Sequence, residues 1–260
     1  MQAEIKGTTM PVLEVTLQQG EQVISTHGEL SWMTQNIQMS QHMGTGGGGG
    51  ARGQGGGFMQ GLKRVMGGGG LFLTHYEATQ GAGMITFAAK LPGHIVPTDI
   101  APGQAFFVHR HGWLCGTPGI VPSVGLQQSF RGGIWGGEGF VLQKLEGQGT
   151  AWIELSGELT TYDLPPMQGL LVHPGHIGMF QGTVQFSVTR MPGIANAVFG
   201  EDGFHVVMLT GPGRVWLQSM PLPVLAQALA RYLQHDDRTT QQAPGGGIVG
   251  GIVGDMLRGN

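Results

Sequence analysis

The sequence predicts an all-β protein in which three pseudo-equivalent antiparallel β units form a sandwich or barrel-like domain, followed by one C-terminal amphipathic helix. Three observations support this fold class. Gly and Pro, the two poorest helix formers, supply 50 and 14 of the 260 residues. Short apolar segments alternate with Pro-Gly turn signals along most of the chain. A pattern of strand, Gly-x-Gly and strand occurs three times, and we expect its copies to share one domain over residues 1–235.

The internal repeat is carried by three Gly-x-Gly segments, each between two apolar runs. Their glycines are Gly81, Gly83, Gly147, Gly149, Gly211 and Gly213. The segments start 66 and 64 residues apart, and such nearly equal spacings indicate tandem structural units. The predicted strand pairs lie near residues 71–90, 140–155 and 204–218. No helical pattern follows these glycines, so we interpret them as hairpin turns that need positive φ rather than as nucleotide-binding loops.

Outside the repeats, the sequence predicts one helix and two glycine-rich segments. The helix covers residues 223–234, where four large apolar side chains recur at helical spacing. Residues 44–57 and 236–260 are so rich in glycine that we expect a flexible loop and a tail. Small residues spaced four apart in the tail leave two interpretations open. The tail either contacts a protein partner or the surface of a membrane, or it is a frayed end.

The motifs together resemble those of a known family. A Gly-Gly-x-Gly-Phe strand start at 136–140, the Gly-x-Gly turns and a Val-His-Pro-Gly stretch at 172–175 are similar to the Aim-type mitochondrial-biogenesis family, whose bacterial members form a domain of unknown function. The resemblance covers residues 10–220. It implies a fold similar to that of the tryptophan RNA-binding attenuation protein and a homo-oligomer, with a trimer as the expected size. It implies no established catalytic activity.

Charge and cysteine content argue against several classes of protein. The chain has only 13 Lys and Arg residues and a net charge of −3, whereas phosphate contacts supply most nonspecific nucleic-acid affinity. RNA binding is therefore a minor alternative, and small-ligand binding is another. The sequence shows neither a signal-peptide pattern nor an apolar window long enough to span a bilayer. With the lone Cys115 expected to be a buried, reduced thiol, we expect a cytoplasmic protein.

Four histidines are the candidate metal ligands, namely His109, His111, His173 and His176. A His-x-His pattern on a strand would place His109 and His111 on one face. His109 and His173 also fall at similar points of two repeats. No acidic residue stands close to either pair in the sequence, so a carboxylate ligand would have to come from another strand. We therefore favour the alternative in which these histidines lie in turns and hydrogen-bond the backbone.

The predicted function is a non-enzymatic oligomeric β scaffold or binding module. No Gly-x-Ser-x-Gly nucleophile motif and no phosphate-binding loop occur, so we assign no catalytic residue and no cofactor. Hydrophobic residues make up 40% of the chain and charged residues 11%, which favours self-association because few charges are available to protect strand edges. The alternative function is a histidine-based metal-binding β-barrel or a metal-dependent enzyme.

Overall fold

The computed structural model describes residues 1–43, 72–128, 140–190, 205–222, 224–226, 228 and 229. The predicted all-β class is confirmed, because these residues contain nineteen strands and, between two of them, a short 3-10 turn at Pro174–His176. All nineteen strands lie in one compact unit, Met1–Pro221.

A second compact unit covers Leu222–Asn260. Its described residues are helical and coincide with the start of the helix predicted at 223–234. Among the described residues, no helix combines the length and the apolar character needed to cross a membrane. The loop predicted at 44–57 and the tail predicted at 236–260 lie outside the described residues.

The strands follow one another in three repeats of six, preceded by β1 (Gln2–Lys6). Repeat 1 contains β2 (Val12–Leu17), β3 (Gln22–Thr26), β4 (Trp32–Met33), β5 (Ile37–Met43), β6 (Phe72–Ala78) and β7 (Gly83–Ala88). Repeat 2 contains β8 (Gly93–Ile100), β9 (Phe106–His109), β10 (Trp113–Gly116), β11 (Ile120–Gln128), β12 (Phe140–Gly147) and β13 (Gly149–Ser156). Repeat 3 contains β14 (Leu159–Leu164), β15 (Gly169–Val172), β16 (Ile177–Gln181), β17 (Gln185–Arg190), β18 (His205–Thr210) and β19 (Gly213–Gln218).

The order of hydrogen-bonded strands follows the same repeat. Sheet B has the order β5-β6-β3-β10-β13-β8, and sheet C has the order β11-β12-β9-β16-β19-β14. Each strand of sheet C therefore lies six places later in the chain than its counterpart in sheet B. Sheet A, β1-β2-β7-β4, contains the half of this order that β10, β13 and β8 form in sheet B, with β1 added at its edge. Sheet D, β15-β18-β17, contains the other half, which β5, β6 and β3 form in sheet B. Each repeat thus gives three strands to one sheet and three to the next.

The core consists of three apolar clusters, one between each pair of successive sheets. One pair of buried side chains from each cluster illustrates the arrangement: Phe87 of sheet A with Tyr76 of sheet B, Trp113 of sheet B with Phe106 of sheet C, and Phe180 of sheet C with Val207 of sheet D. Sheets B and C are consequently covered on both faces, whereas these clusters cover sheets A and D on one.

Strand sequences reflect this difference in burial. In β2 of sheet A, buried and partly buried residues alternate along the whole strand, as the period of two predicts for a sheet with one covered face. In β13 of sheet B, the last six residues are all buried, Glu154 and Ser156 among them, so burial does not alternate along this part of the strand. Burial thus alternates along β2, whose sheet has one covered face, and is continuous over most of β13, whose sheet has two.

The glycine segments connect different sheets, and the prediction that they close β-hairpins is wrong. The strands before and after each segment are β6 and β7, β12 and β13, and β18 and β19, and in each case the two strands belong to different sheets. Local turn chemistry is the same whether a chain reverses within a sheet or crosses to the facing one. The partner strands are set by contacts far away in the sequence.

Two of the six glycines also serve a different purpose from the one predicted. Gly81, Gly147, Gly149 and Gly213 adopt positive φ. Gly83 and Gly211 do not, but a Cβ at either position would collide with neighbouring atoms. At Gly211 the obstacles are backbone oxygens, so close packing requires glycine there; at Gly83 the obstacle is the end of the Ile37 side chain, which would have to move.

Candidate functional site

The imidazole of His109 is held at the end of β9 by a hydrogen bond to the backbone. Its Nε2 lies 2.9 Å from the carbonyl oxygen of Glu154 in β13, so this nitrogen carries the proton and donates it. Burial lowers the pKa of His109 from 6.5 to about 4, and the ring is neutral at pH 7. Only Nδ1 is then left as an atom that could bind a metal.

His111 does not share a strand with His109, contrary to the prediction. Strand β9 ends at His109, and His111 lies in the turn that leads to β10. The alternation of side chains along a strand therefore cannot place the two rings on one face. Partial burial, followed by the positive charges of Arg110 and Lys90, lowers the pKa of His111.

His173 and His176 lie at the 3-10 turn that follows β15. Their ring centroids are 5.7 Å apart, with the rings at 69° to each other. The Nδ1 of His176 donates to the carbonyl oxygen of Gln218 at 2.8 Å. Burial and then the neighbouring His176 lower the pKa of His173. His176 therefore has the backbone-binding role that we favoured over metal binding.

The geometry gives the metal hypothesis no third ligand. Across the described ranges, no group of three His, Cys, Asp or Glu side chains is placed to hold a metal ion. His109 and His173 occupy equivalent points of repeats 2 and 3, but His109 ends β9 of sheet C and His173 directly follows β15 of sheet D. Of the predicted pairs, His173 and His176 have their rings in edge-to-face contact.

A carboxylate that the sequence did not single out lies next to His109. Glu154 is buried, and its Oε1 accepts the backbone N–H groups of Lys90 at 2.7 Å and Leu91 at 3.2 Å. The Lys90 ammonium lies 3.5 Å from the other carboxylate oxygen and also pairs with Glu29. Burial raises the pKa of Glu29 even though this cation opposes the change. The cluster ties the connection between β7 and β8 to β13.

The residue equivalent to Glu154 in repeat 3 is Gln218, and its contacts show the structural role that both residues share. Gln218 accepts the N–H of Ser156 through Oε1 at 3.0 Å and donates from Nε2 to the carbonyl oxygen of Gly175 at 3.2 Å. A neutral amide thus does in repeat 3 what a carboxylate does in repeat 2. The shared requirement is a hydrogen-bond acceptor for buried backbone, which needs no charge. The signal in the sequence is a spacing of 64 residues, the same as between the glycines of these repeats.

The strand pairs that join the repeats form a second candidate site. Repeat 1 is joined to repeat 2 by β3 and β10, and repeat 2 to repeat 3 by β9 and β16. In each pair of this series, one strand is β3, β9 or their equivalent in repeat 3, which is β15. The other strand is β10, β16 or their equivalent in repeat 1, which is β4, so β15 and β4 would form the third pair. In the described part of the chain, β15 pairs only with β18 and β4 only with β7, so each strand has one unpaired edge.

Burial distinguishes the joined edges from the unjoined ones. Trp32 of β4 is 51% exposed, whereas Cys115 and Met179 at the equivalent positions of β10 and β16 are 0% exposed. Leu171 of β15 is 47% exposed, whereas its counterpart Ile24 in β3 is buried. An unpaired backbone edge that also carries exposed apolar side chains is the usual mark of an association surface.

Cys115 belongs to the joined edge and has no feature of a reactive thiol. The prediction that it is buried is confirmed, and burial raises its pKa well above the ordinary value. A thiol that stays protonated is a poor nucleophile. Its role is to fill the core between sheets A and B.

The turn before β15 contains a residue in an unfavourable backbone conformation. Met167 has a φ of 66°, and in the described residues it is the one non-glycine with positive φ. Its counterparts in repeats 1 and 2 are Gly20 and Gly103, both with a φ of 82°. Left-handed backbone costs a residue with a Cβ roughly 1 kcal/mol. Met167 is nevertheless 89% exposed, so its strained position places a large apolar side chain in solvent beside the unpaired edge.

Comparison with known proteins gives a family and a fold. The family model for mitochondrial biogenesis AIM24 matches residues 3–220. A crystal structure of a Streptococcus pyogenes protein has a TM-score of 0.68 with 19% identity, over 89% of this chain and 99% of that chain. At this identity the likeness concerns the fold alone. None of the curated proteins matches this chain.

Proposed function

The chain belongs to the AIM24 mitochondrial-biogenesis family, and from that premise we propose that it is a non-enzymatic, self-assembling β scaffold whose copies join through β15 and β4. The observation that carries the proposal concerns the described strands: the two end members of the series, β15 and β4, each have an unpaired edge there, whereas the inner members are hydrogen-bonded. A strand edge of this kind readily accepts a further strand. For the open edge of β15, a second copy offers its β4, which is equivalent to the strands β10 and β16 that fill this place at the internal junctions.

The type of contact constrains the assembly. Strands β15 and β4 are different surfaces, so pairing them joins copies head to tail. Head-to-tail contacts give a closed ring when the rotation between copies closes, and a filament when it does not. We propose the closed trimer that the family resemblance implies. In it, sheet D of one copy and sheet A of the next become one sheet with the strand order of sheets B and C, extended by β1.

The polar groups of the interior support a structural function. Glu154, Gln218, His109 and His176 all use their side chains to satisfy backbone groups. His109 is neutral at pH 7, and the Cys115 thiol is protonated. We propose a cytoplasmic location on the ground of this buried, reduced thiol. A protein or membrane partner for residues 236–260 is a secondary proposal.

The test is the mass of the purified protein measured by light scattering during gel filtration. We expect a mass near three times 27.4 kDa that does not change on tenfold dilution. A single species at 27.4 kDa at all concentrations would contradict the proposal. Metal analysis of the same sample tests the alternative function, since one bound metal ion per chain would favour the histidine-based site.

A further inference from the structure

We propose that neighbouring copies pair in one register, in which Met33 of one copy lies opposite Leu171 of the next. Trp32 then lies opposite Val172, and Thr34 opposite Leu170. This inference rests on the proposed function because it concerns the same two edges. It follows from the register of the two junctions that the chain forms within itself.

The position of Met33 within its repeat is fixed by its partner in the central strand. In each repeat, the strand at the junction pairs with the residue that lies two places after the second glycine of the Gly-x-Gly segment. These pairs are Met33 with Ile85, Gly116 with Ala151, and Phe180 with Val215. Met33, Gly116 and Phe180 therefore hold equivalent positions.

The position of Leu171 is fixed by the turn that precedes its strand. In each repeat this turn contains one residue with positive φ, which is Gly20, Gly103 or Met167. In each it is closed by one backbone hydrogen bond, from Glu21 to Gln18, from Gln104 to Ala101, and from Gln168 to Pro165. The fourth residue after the positive-φ position is Ile24, Phe107 or Leu171.

Both internal junctions use the same register at these positions. Gly116 lies opposite Ile24 between repeats 1 and 2, and Phe180 lies opposite Phe107 between repeats 2 and 3. The same register in the third place brings Met33 and Leu171 together.

Side-chain volume and pattern agree with this register. One internal junction opposes Gly to Ile, and the other opposes two Phe rings whose centroids are 5.2 Å apart. A Met and a Leu fall between these two cases in volume. Shifting the pairing by one residue would move the side chains of one strand to the other face of the joint sheet, so that the side chains facing the core would face solvent. The register would also cover Trp32, whose counterparts Cys115 and Met179 are buried at the internal junctions.

Disulfide cross-linking between two single variants tests the register. Met33→Cys and Leu171→Cys chains are produced together, oxidised and separated by non-reducing electrophoresis. Residues directly opposite on antiparallel strands have Cα atoms about 4.5–5.5 Å apart, which is within disulfide range. We expect a covalent dimer containing one chain of each kind. The native Cys115 is buried, so we expect it to take no part in the cross-link.

Each variant produced alone is the first control, since head-to-tail pairing places no two identical cysteines opposite each other. The second control replaces Leu171→Cys by Gly169→Cys, which is two residues away on the same face of β15, and it should not cross-link. A cross-link in either variant alone would mean that like edges meet and would overturn the proposal. A cross-link through Gly169→Cys instead of Leu171→Cys would overturn the register.

The failure of this inference is distinguishable from the failure of the proposed function. A sample that keeps its oligomeric mass but forms no disulfide overturns the register and leaves the scaffold in place. A wild-type protein that has the mass of a single chain contradicts the scaffold itself.

Discussion

The inner sheets B and C and the outer sheets A and D are built from equivalent strands, yet in the described residues the full strand order is present in the inner sheets alone. At the junctions of the inner sheets, Cys115 and Met179 are fully buried, whereas the equivalent Trp32 at the edge of sheet A is half exposed. The difference lies in the position of a strand within the series, since the local sequence is apolar in all three places. A tandem repeat in which each unit shares a sheet with the next leaves half a sheet at each end when, as here, the two end halves do not pair with each other.

This comparison also explains the composition of the chain. Free strand edges are ordinarily protected by charges or prolines. Here charged residues are only 11% of the chain, and the two edges that no described strand pairs carry Trp32 and Leu171. The low charge is therefore consistent with edges that are covered by another copy.

Lysine substitutions at equivalent positions of a joined and an unjoined edge should give the largest difference in the free energy of unfolding. Met179→Lys puts an unpaired charge between sheets B and C, and we expect a loss of about 4 kcal/mol or more in the free energy of unfolding. Trp32→Lys places the same charge in solvent, so we expect a change within about 1 kcal/mol. Urea unfolding measures both.

Both substitutions are made in a Leu171→Lys background, which removes assembly and lets single chains be compared. Equal losses at the two positions would mean that the edge of β4 is not open in the single chain.

The pH dependence of stability should report His109 in the inner sheets. The unfolded chain takes up this proton near pH 6.5, whereas the folded chain takes it up only near pH 4. The free energy of unfolding should therefore be unaffected by this group above pH 6.5, and its contribution should fall with decreasing pH to a loss of about 3 kcal/mol near pH 4. Burial lowers the pKa values of His75, His111 and His173 as well, which adds to the same slope.

The variant His109→Gln, whose amide can still donate to the carbonyl of Glu154, should remove most of this slope when urea unfolding is repeated between pH 4 and pH 7. An unchanged slope in this variant would mean that His109 is not the group that resists protonation.

The matched positions Glu154 and Gln218 test whether repeats 2 and 3 share one structural device. Gln218→Ala leaves the buried N–H of Ser156 without its acceptor and should cost about 2 kcal/mol of unfolding free energy. Glu154→Gln copies the arrangement of repeat 3 and should cost about 1 kcal/mol or less. Chemical denaturation at pH 7 compares them, and a larger loss for Glu154→Gln would show that the charge of Glu154, through Lys90, is what matters.

The sequence predicted the parts of this fold that local patterns determine. Glycine content and short apolar runs indicated strands, and the spacing of Gly81, Gly147 and Gly211 indicated three repeats. Which strands pair was not predictable, because Gly116 meets Ile24, a residue far away in the chain and in another repeat. For this reason the glycine segments looked like hairpins, although they cross between sheets.

The candidate site shows the same limit. The residues His109 and His111 suggested one face of a strand, but β9 stops at His109 and the backbone turns. Gly112 permits that turn, since a Cβ there would strike the His109 ring. Glu154 was missed because an isolated glutamate in an apolar strand has no local motif. Only its alignment with Gln218 indicates its role.

The smallest expected change in the free energy of unfolding concerns the turn before β15. Met167→Gly relieves the left-handed strain, and we expect the free energy of unfolding to rise by about 0.5–1 kcal/mol. The reverse change at the equivalent position of the inner sheet, Gly103→Met, should lower it by about 1 kcal/mol. Thermal unfolding of the two variants, again with Leu171→Lys, compares them. A destabilised Met167→Gly chain would mean that the side chain packs within its own subunit.

The central claim, that two different edges of the chain pair between copies, is tested most directly by mixing two variants that are each blocked at one edge. Trp32→Lys blocks β4 and leaves β15 open, and Leu171→Lys blocks β15 and leaves β4 open. Light scattering should find each variant alone at 27.4 kDa and an equimolar mixture at twice that mass, because one intact junction forms and no further copy can be added. A mixture that stays at 27.4 kDa, or either variant alone at the wild-type oligomeric mass, would contradict the claim.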